Sequence, residues 1–436
     1  MLHLENGLKK SVGITLIFIS VIMLGYILQR GDFSLLIAFF TLGCSGVFIL
    51  SQLTFNFKSL LLIGIALRIA LIFSIPILSD DYFRFLWDGF LSNQGINPFE
   101  FKPTEITSLF TDNSFAQELY KGINSPNYYS IYPPVSQWIY YLAALPQGVF
   151  GGIIIIRLIL LAFEIATFFM LSKIISRFSL NHHKIIWYWF NPLVIIEITG
   201  NLHAEGTLLF FLLSGLLSIT QLKDLKGGLL VALSVCSKLF SLMFLPLILL
   251  KGGSHRWFKL MLGIIPLFLI VFLPFINSEN FSHLLDSLNL YFQTFEFNGS
   301  VFNLVKWAGI QLLGYDLIKI AGPVLSLISL GIILTITWKY RYRNRRVIFT
   351  GLTFIISTYL FFSPIVHPWY AIIPLGLGII SKLHYPKAWS MLIFLSYSFY
   401  DSRLAYETKQ LFVALEYSVV LIVFISDIKR IKTMGV

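Results

Sequence analysis

The densest set of chemically competent residues is the string Ser79-Asp80-Asp81-Tyr82-Phe83-Arg84-Phe85-Leu86-Trp87-Asp88-Gly89. On a helix, Asp81, Arg84 and Asp88 share a face, and Asp80 reaches Arg84 one turn later. Two adjacent carboxylates repel each other, which raises one pKa and prepares that group as a general base. The same string also reads as a plain helix start. Ser79 would cap it, the aspartates would complement its dipole, and Arg84 would pair with them. The residues alone leave both readings open.

Further polar islands interrupt the apolar runs. Asn127-Tyr128-Tyr129 is followed by Tyr132-Pro133-Pro134, whose prolines fix the start of a short helix. Asn191-Pro192 precedes Gly200-Asn201-Leu202-His203-Ala204-Glu205. His203 and Glu205, two apart, suit a metal, a sugar or a solvated turn. Lys238 lies inside a hydrophobic run, where it either snorkels to an interface or meets an anionic headgroup. In Ser363-Pro364-Ile365-Val366-His367-Pro368-Trp369-Tyr370 the rings suit an interfacial anchor or a sugar face. Asn298 and Asn303 are polar contacts in a later polar stretch. His182 and His183 sit in a basic loop and have no assigned role. Cys44 and Cys236 fall in apolar stretches and make neither a metal spacing nor a disulfide framework.

The elements that must position these residues are membrane helices. Of 436 residues, 57% are hydrophobic and 12% charged, against about 25% charged in a soluble domain. No charged shell can be built from that supply. The net charge of +11 is scattered, which argues against a nucleic-acid partner. Runs able to span a bilayer lie near 11–29, 33–53, 59–78, 150–172, 203–220, 227–249, 258–276, 320–338, 347–363 and 411–428. Shorter ones lie near 132–147, 185–199, 369–381 and 388–400. The expected fold is an all-α polytopic membrane protein of about 11–14 transmembrane or re-entrant helices. The first run, Val12–Leu28, lacks a following cleavage site and reads as a membrane helix, not a signal peptide.

Lysine and arginine set the orientation. Lys339, Arg341, Arg343, Arg345 and Arg346 form the densest basic loop, which places both termini in the cytoplasm. The count fails in 132–184 and 226–259, so one segment in each should be re-entrant, broken or interfacial. The stretch 79–131 holds seven acidic residues against three basic ones. With 277–302 it is expected on the outer face, where long loops carry function.

Taken in order, the islands resemble bacterial polyprenyl-phosphate-mannose-dependent mannosyltransferases of the C-type (GT-C) glycosyltransferase superfamily. The likeness spans roughly residues 60–400. It implies one integral membrane domain over 1–436, with a large first extracytoplasmic loop, in a bacterial cytoplasmic membrane. In that superfamily a carboxylate opening the first outer loop is the catalytic base. Anchoring on Arg84 places it at Asp81, with Asp80 as the second candidate. Arg84, Asp88, Tyr132, Asn201, His203, Glu205, Lys238, His367, Trp369 and Tyr370 are the implied substrate-binding residues. One departure stands out: the family pattern is Asn-Gly-His-(Asn)-Asp where this chain has Asn201-Leu202-His203-Ala204-Glu205.

The implied reaction moves a mannosyl, or other hexosyl or pentosyl, residue from a polyprenyl-phosphate donor to a glycan, glycolipid or protein acceptor. A single displacement inverts the anomeric centre. The leaving phosphate needs positive charge and no proton, unlike the alcohol expelled in glycoside hydrolysis. No cofactor is certain, since some branches of the superfamily use a divalent metal and others do not. The competing reading is a transporter or lipid-linked sugar flippase, which would share intramembrane Lys238 but would show internal repeats. A non-catalytic scaffold would leave the islands unexplained.

Overall fold

The structure is a computed structural model that describes residues 2–251, 253–275, 277–293, 295–315 and 317–433. Its regular elements there are helices, as a bilayer requires of backbone that has no water to bind. Among the described residues six helices are long and apolar enough to cross a membrane: Glu5–Ile27, Phe33–Ser51, Val149–Arg177, Gly253–Phe272, Lys319–Tyr340 and Tyr406–Thr433. Pro192–Gly200 and Glu205–Thr220 form a pair bent by 111° at its break. Shorter apolar helices cover Leu239–Leu250, Val301–Leu313, Val347–Phe362 and Pro368–Ile380.

Basic residues gather at one end of this assembly. Lys184 Nζ donates to Ser381 O (3.4 Å) amid the charges of Arg346, Arg430 and Lys382. Arg345 Nη1 donates to Thr220 O (2.7 Å), and Arg256 pairs with Asp224 at 2.6 Å. Lys251 donates to Tyr340 O (3.3 Å).

Three hairpins rise from that basic end. One climbs through Ile186–Gly200 and returns as Glu205–Thr220; the second climbs as Asp224–Ser237 and returns through Leu239–Leu250. The third climbs as Val347–Phe362 and returns through Pro368–Ile380. Helices of 14 and 16 residues reach about 21–24 Å at 1.5 Å per residue. That is less than the ~30 Å thickness of a hydrocarbon core. The apices are 201–204, Lys238 and 363–367.

This geometry corrects the run 227–249, expected as one crossing. Its helix ends at Ser237, and Lys238 is extended (φ −159°, ψ 133°). Both flanks stay at the basic end, which removes the conflict in 226–259. The conflict in 132–184 also resolves. Pro134–Ala144 has 11 residues, about 16 Å, and packs beside Asp81–Asn93 through stacked Phe85 and Tyr140 (4.6 Å). It does not cross. Val149–Arg177 alone carries the chain to the basic end. The run 59–78 is helical only over Phe57–Ile69 before it turns.

The 79–131 stretch folds into short helices, Asp81–Asn93, Pro103–Ile106 and Ser114–Gly122, that lie over the apices. Ser136 Oγ, just after it, donates to Ser237 O (2.9 Å) at the second apex. The 277–302 stretch, in which Thr294 lies outside the described residues, supplies the helix Ser278–Gln293. His283 stacks on Tyr129 at 3.8 Å and joins the two stretches. Phe297 N donates to Pro364 O (3.0 Å) and Val366 N to Phe297 O (2.7 Å), which pins the second stretch to the third apex.

Two buried guanidinium groups hold the frame. Arg157 donates to Thr199 O, Gly200 O, Ile72 O and Ser74 O at 2.7–3.1 Å. It thereby satisfies carbonyls freed where two helices end. Arg68 pairs with Glu164 at 2.9 Å, both fully buried, and lies 3.8 Å from the Trp189 ring centroid. Tyr188 Oη also donates to Glu164 (2.7 Å). Arg68→Met strands a buried carboxylate and should cost about 3–5 kcal/mol, whereas a paired Arg68→Met/Glu164→Leu change should cost much less. Melting of the two variants in detergent checks this. Equal losses would mean that Arg68 matters through packing.

Candidate functional site

The carboxylate pair is split by its partners. Ser79 Oγ accepts the Asp81 N–H (3.3 Å), but the N-cap is Asp80, not Ser79 as expected, and it makes no side-chain cap bond. Asp80 turns away to Arg30, 2.5 Å distant, and Arg30 itself lies over Tyr400. Asp81 is half-buried and accepts one bond, from Asn124 Nδ2 at 3.0 Å. Burial holds its carboxyl above the usual carboxylate range, against the opposing pull of Asn124 and Lys238. Asp80 is thus ion-paired with a neighbour, while the second Asp81 carboxylate oxygen accepts no hydrogen bond from a described residue.

Beneath Asp81 the hairpin apices meet. Glu205 is fully buried and its Oε1 pairs with the Lys238 ammonium. Both charges act on Asp81 across the space between them. Lys238 also lies 5.0 Å from the Tyr370 ring and 5.3 Å from that of Phe240. The His203 ring stacks on Trp369 at 3.6 Å, and Trp369 stacks on His367 at 4.4 Å. First and third apices are joined by this column, first and second by the ion pair. Glu205 Oε2, His203 Nε2 and His367 Nδ1 are buried without a hydrogen-bond partner among the described residues. Three buried polar atoms without a protein partner thus gather around one ammonium, an arrangement that water or a polar ligand would satisfy.

The local backbone serves this arrangement. Leu202 has φ +68°, where the resembled pattern carries glycine, so this chain accepts strain at the first apex. Glu197 steadies it: its backbone carbonyl accepts His203 N–H (3.0 Å) and its carboxylate accepts Asn201 Nδ2 (3.0 Å). Tyr397 Oη donates to the other Glu197 oxygen (2.8 Å). His203 Nε2 stands 3.6 Å from Glu197, beyond hydrogen-bond reach.

The remaining expected residues have local partners. Arg84 Nε donates to Asp88 (2.8 Å) and Nη1 to Tyr128 O (2.8 Å). The other Asp88 oxygen accepts from Ser130 (2.5 Å) and Gln137 (3.0 Å). This pair ties segment 125–130 to its helix, with Arg84 Nη2 and Gln137 Oε1 left without a partner among the described residues. Tyr132 packs edge-on to Phe85 and Tyr140. Asn298 and Asn303 bond Glu416 (3.2 Å) and Gln410 (2.9 Å), so both face the helix Tyr406–Thr433.

Among the described residues, no three His, Cys, Asp or Glu side chains stand close enough to hold a metal ion. The carboxylates beside Asp81 are already paired with Arg30 and Lys238.

Residues 8–251 match the family model described as "Alpha-(1->6)-mannopyranosyltransferase, N-terminal domain", more than half of the chain. The chain belongs to this family. The matched stretch of this mannopyranosyltransferase family includes Asp80, Asp81, His203, Glu205 and Lys238, while His367–Tyr370 lie beyond it. Two curated relatives share the name Alpha-(1->6)-mannopyranosyltransferase A. The protein from Corynebacterium glutamicum is 23% identical over 193 residues, 44% of this chain and 38% of that protein. The one from Mycobacterium tuberculosis is 20% identical over 329 residues, 71% of this chain and 62% of that protein. The chain therefore spans less than two thirds of either relative. The likeness to membrane mannosyltransferases seen in the sequence holds at the level of the family.

Four neighbours of the site escaped the sequence reading: Arg30, Asn124, Glu197 and Tyr400. Glu197 carried a signal, since a carboxylate inside Val194-Ile195-Ile196-Glu197-Ile198 is costly in a membrane and seldom idle. Arg30 and Asn124 sit in polar segments and Tyr400 closes the apolar run 388–400, and none of the three carried a signal.

Proposed function

We propose that this chain transfers a mannosyl residue from a polyprenyl-phosphate donor to a hydroxyl of a glycan, glycolipid or protein acceptor, with inversion. The observation that carries the reading is Asp81. Its half-buried carboxylate stands over intramembrane apices that bear Lys238 and three orphaned polar atoms. The polyprenyl chain stays in the bilayer, so its phosphate must be met below the membrane surface, at the depth of these apices.

Asp81 accepts the acceptor proton as that oxygen bonds to the anomeric carbon. The bond from that carbon to the donor phosphate breaks, and the phosphate leaves with the electron pair. Lys238 Nζ, with two N–H groups beyond the one given to Glu205, stabilises it. His203 and His367 present their orphaned nitrogens to the sugar or phosphate, and Trp369 and Tyr370 present ring edges. Asn201, Asp88, Tyr132 and Arg84 position these elements. The relatives' name carries an α-(1→6) linkage, which one inversion of a β-linked donor gives.

The test is transfer of labelled mannose from a polyprenyl-phosphate donor in membranes that hold the protein. Label in a lipid or polymer product is expected. No product from mannosyl, glucosyl, arabinosyl or galactosyl donors would sink the reading. The family match lends no support to a transporter.

The reading takes 1–436 as one domain with 79–131 on the outer face of a bacterial cytoplasmic membrane and both termini in the cytoplasm. The support is the basic end, rich in the lysines and arginines that stay inside. Ser108 is exposed in 79–131, and Cys44 and Cys236 are buried. Ser108→Cys should therefore react with an impermeant thiol reagent on intact cells. Labelling only after lysis would invert the topology.

A further inference from the structure

A groove of about 560 Å³ opens at the basic end, far from Asp81 along the helices, between Phe57–Ile69, Val149–Arg177 and Glu205–Thr220. Its walls differ in chemistry. Phe57, 47% exposed, and Phe169 give it an apolar side. Lys173, Ser176, Arg177 and Gln221 give it a polar rim, with the two cations one helical turn apart on Val149–Arg177. Neither Lys173 nor Arg177 makes an ion pair or side-chain hydrogen bond with any described residue. That contrasts with Arg256, paired with Asp224, and Arg430, paired with Asp427, at the same end. Two free cations beside one exposed and one half-buried ring, where helices leave a bilayer, match an amphipathic anion. Its charge would sit on the rim and its chains along the phenylalanines.

We propose that this groove binds the phosphate headgroup of an anionic phospholipid, with Lys173 and Arg177 on the phosphate and Phe57 and Phe169 along the acyl chains. The site is independent of sugar transfer. It shares no residue with the cleft under Asp81, and it faces the opposite leaflet. Its occupant is the surrounding membrane itself, and a filled groove would bind the start of Phe57–Ile69 to the end of Val149–Arg177.

Native mass spectrometry of the purified full chain, offered phosphatidylglycerol or phosphatidylcholine, tests this. Preferential retention of phosphatidylglycerol is expected, by roughly 30-fold, the factor that two charges near a lipid surface supply. Lys173→Gln/Arg177→Gln should abolish that preference. The charge-preserving Lys173→Arg/Arg177→Lys should keep it, and Lys223→Gln, at the same end outside the groove, should leave it unchanged. No preference in the wild type, or an equal loss in Lys223→Gln, would overturn the proposal. So would displacement of the lipid by millimolar inorganic phosphate, or by polyprenyl phosphate at lower concentration, since the site would then serve another anion.

Discussion

Asp81→Asn is expected to lower mannosyl transfer by about 10²–10⁴-fold, the span typical of a lost general base, with little change in donor affinity. The amide keeps the shape and the contact to Asn124 but cannot take a proton. Asp80→Asn should cost far less, because Asp80 is spent on Arg30. Reversal of that order would move the base to Asp80. The pH profile supplies an independent check. The base must be ionised, so the rate falls as pH falls through the Asp81 pKa, which burial raises. The acid limb should therefore lie at higher pH than a solvent-exposed aspartate would give. Removing the Asn124 bond, which opposes that shift, should carry the limb further upward in Asn124→Ala. An acid limb at the position of a free carboxylate in both proteins would detach the profile from Asp81.

What could be read in advance follows from the cost of polarity in a membrane. A charge in an apolar run must be tolerated for a reason, so Lys238 stood out; Asp80 and Asp81 stood out as paired carboxylates, and His203 and Glu205 as a polar island between apolar runs. The failed orientation count was also informative, because it fell where Lys238 breaks a helix and where Pro134–Ala144 fails to cross. Contacts between distant segments were hidden. Asn124 meets Asp81 across 43 residues and Tyr397 meets Glu197 across 200, and no local pattern records such pairings. Helix spacing put Arg84 and Asp88 on the face of Asp81, but not what they do there. Their bonds to 125–130 show a tie that shapes the loop.

Lys238→Met carries the second large expectation, a loss of donor affinity of roughly 10- to 100-fold, from one hydrogen bond to a charged group. The ion pair with Glu205 complicates a simple reading, since the change also leaves a fully buried carboxylate without its partner. That carboxylate would repel the donor phosphate or destabilise the fold, and either effect could imitate a lost contact. Lys238→Met/Glu205→Leu separates the causes. If Lys238 only neutralises Glu205, the double variant recovers both melting temperature and donor affinity. If Lys238 Nζ holds the phosphate, melting recovers and affinity does not. Glu205→Gln sharpens the contrast: the ammonium is then released from its partner while Asp81 stays in place, so donor binding should hold or tighten. Donor affinity unchanged in Lys238→Met would return the lysine to a structural part, the pin that holds the second apex against the first.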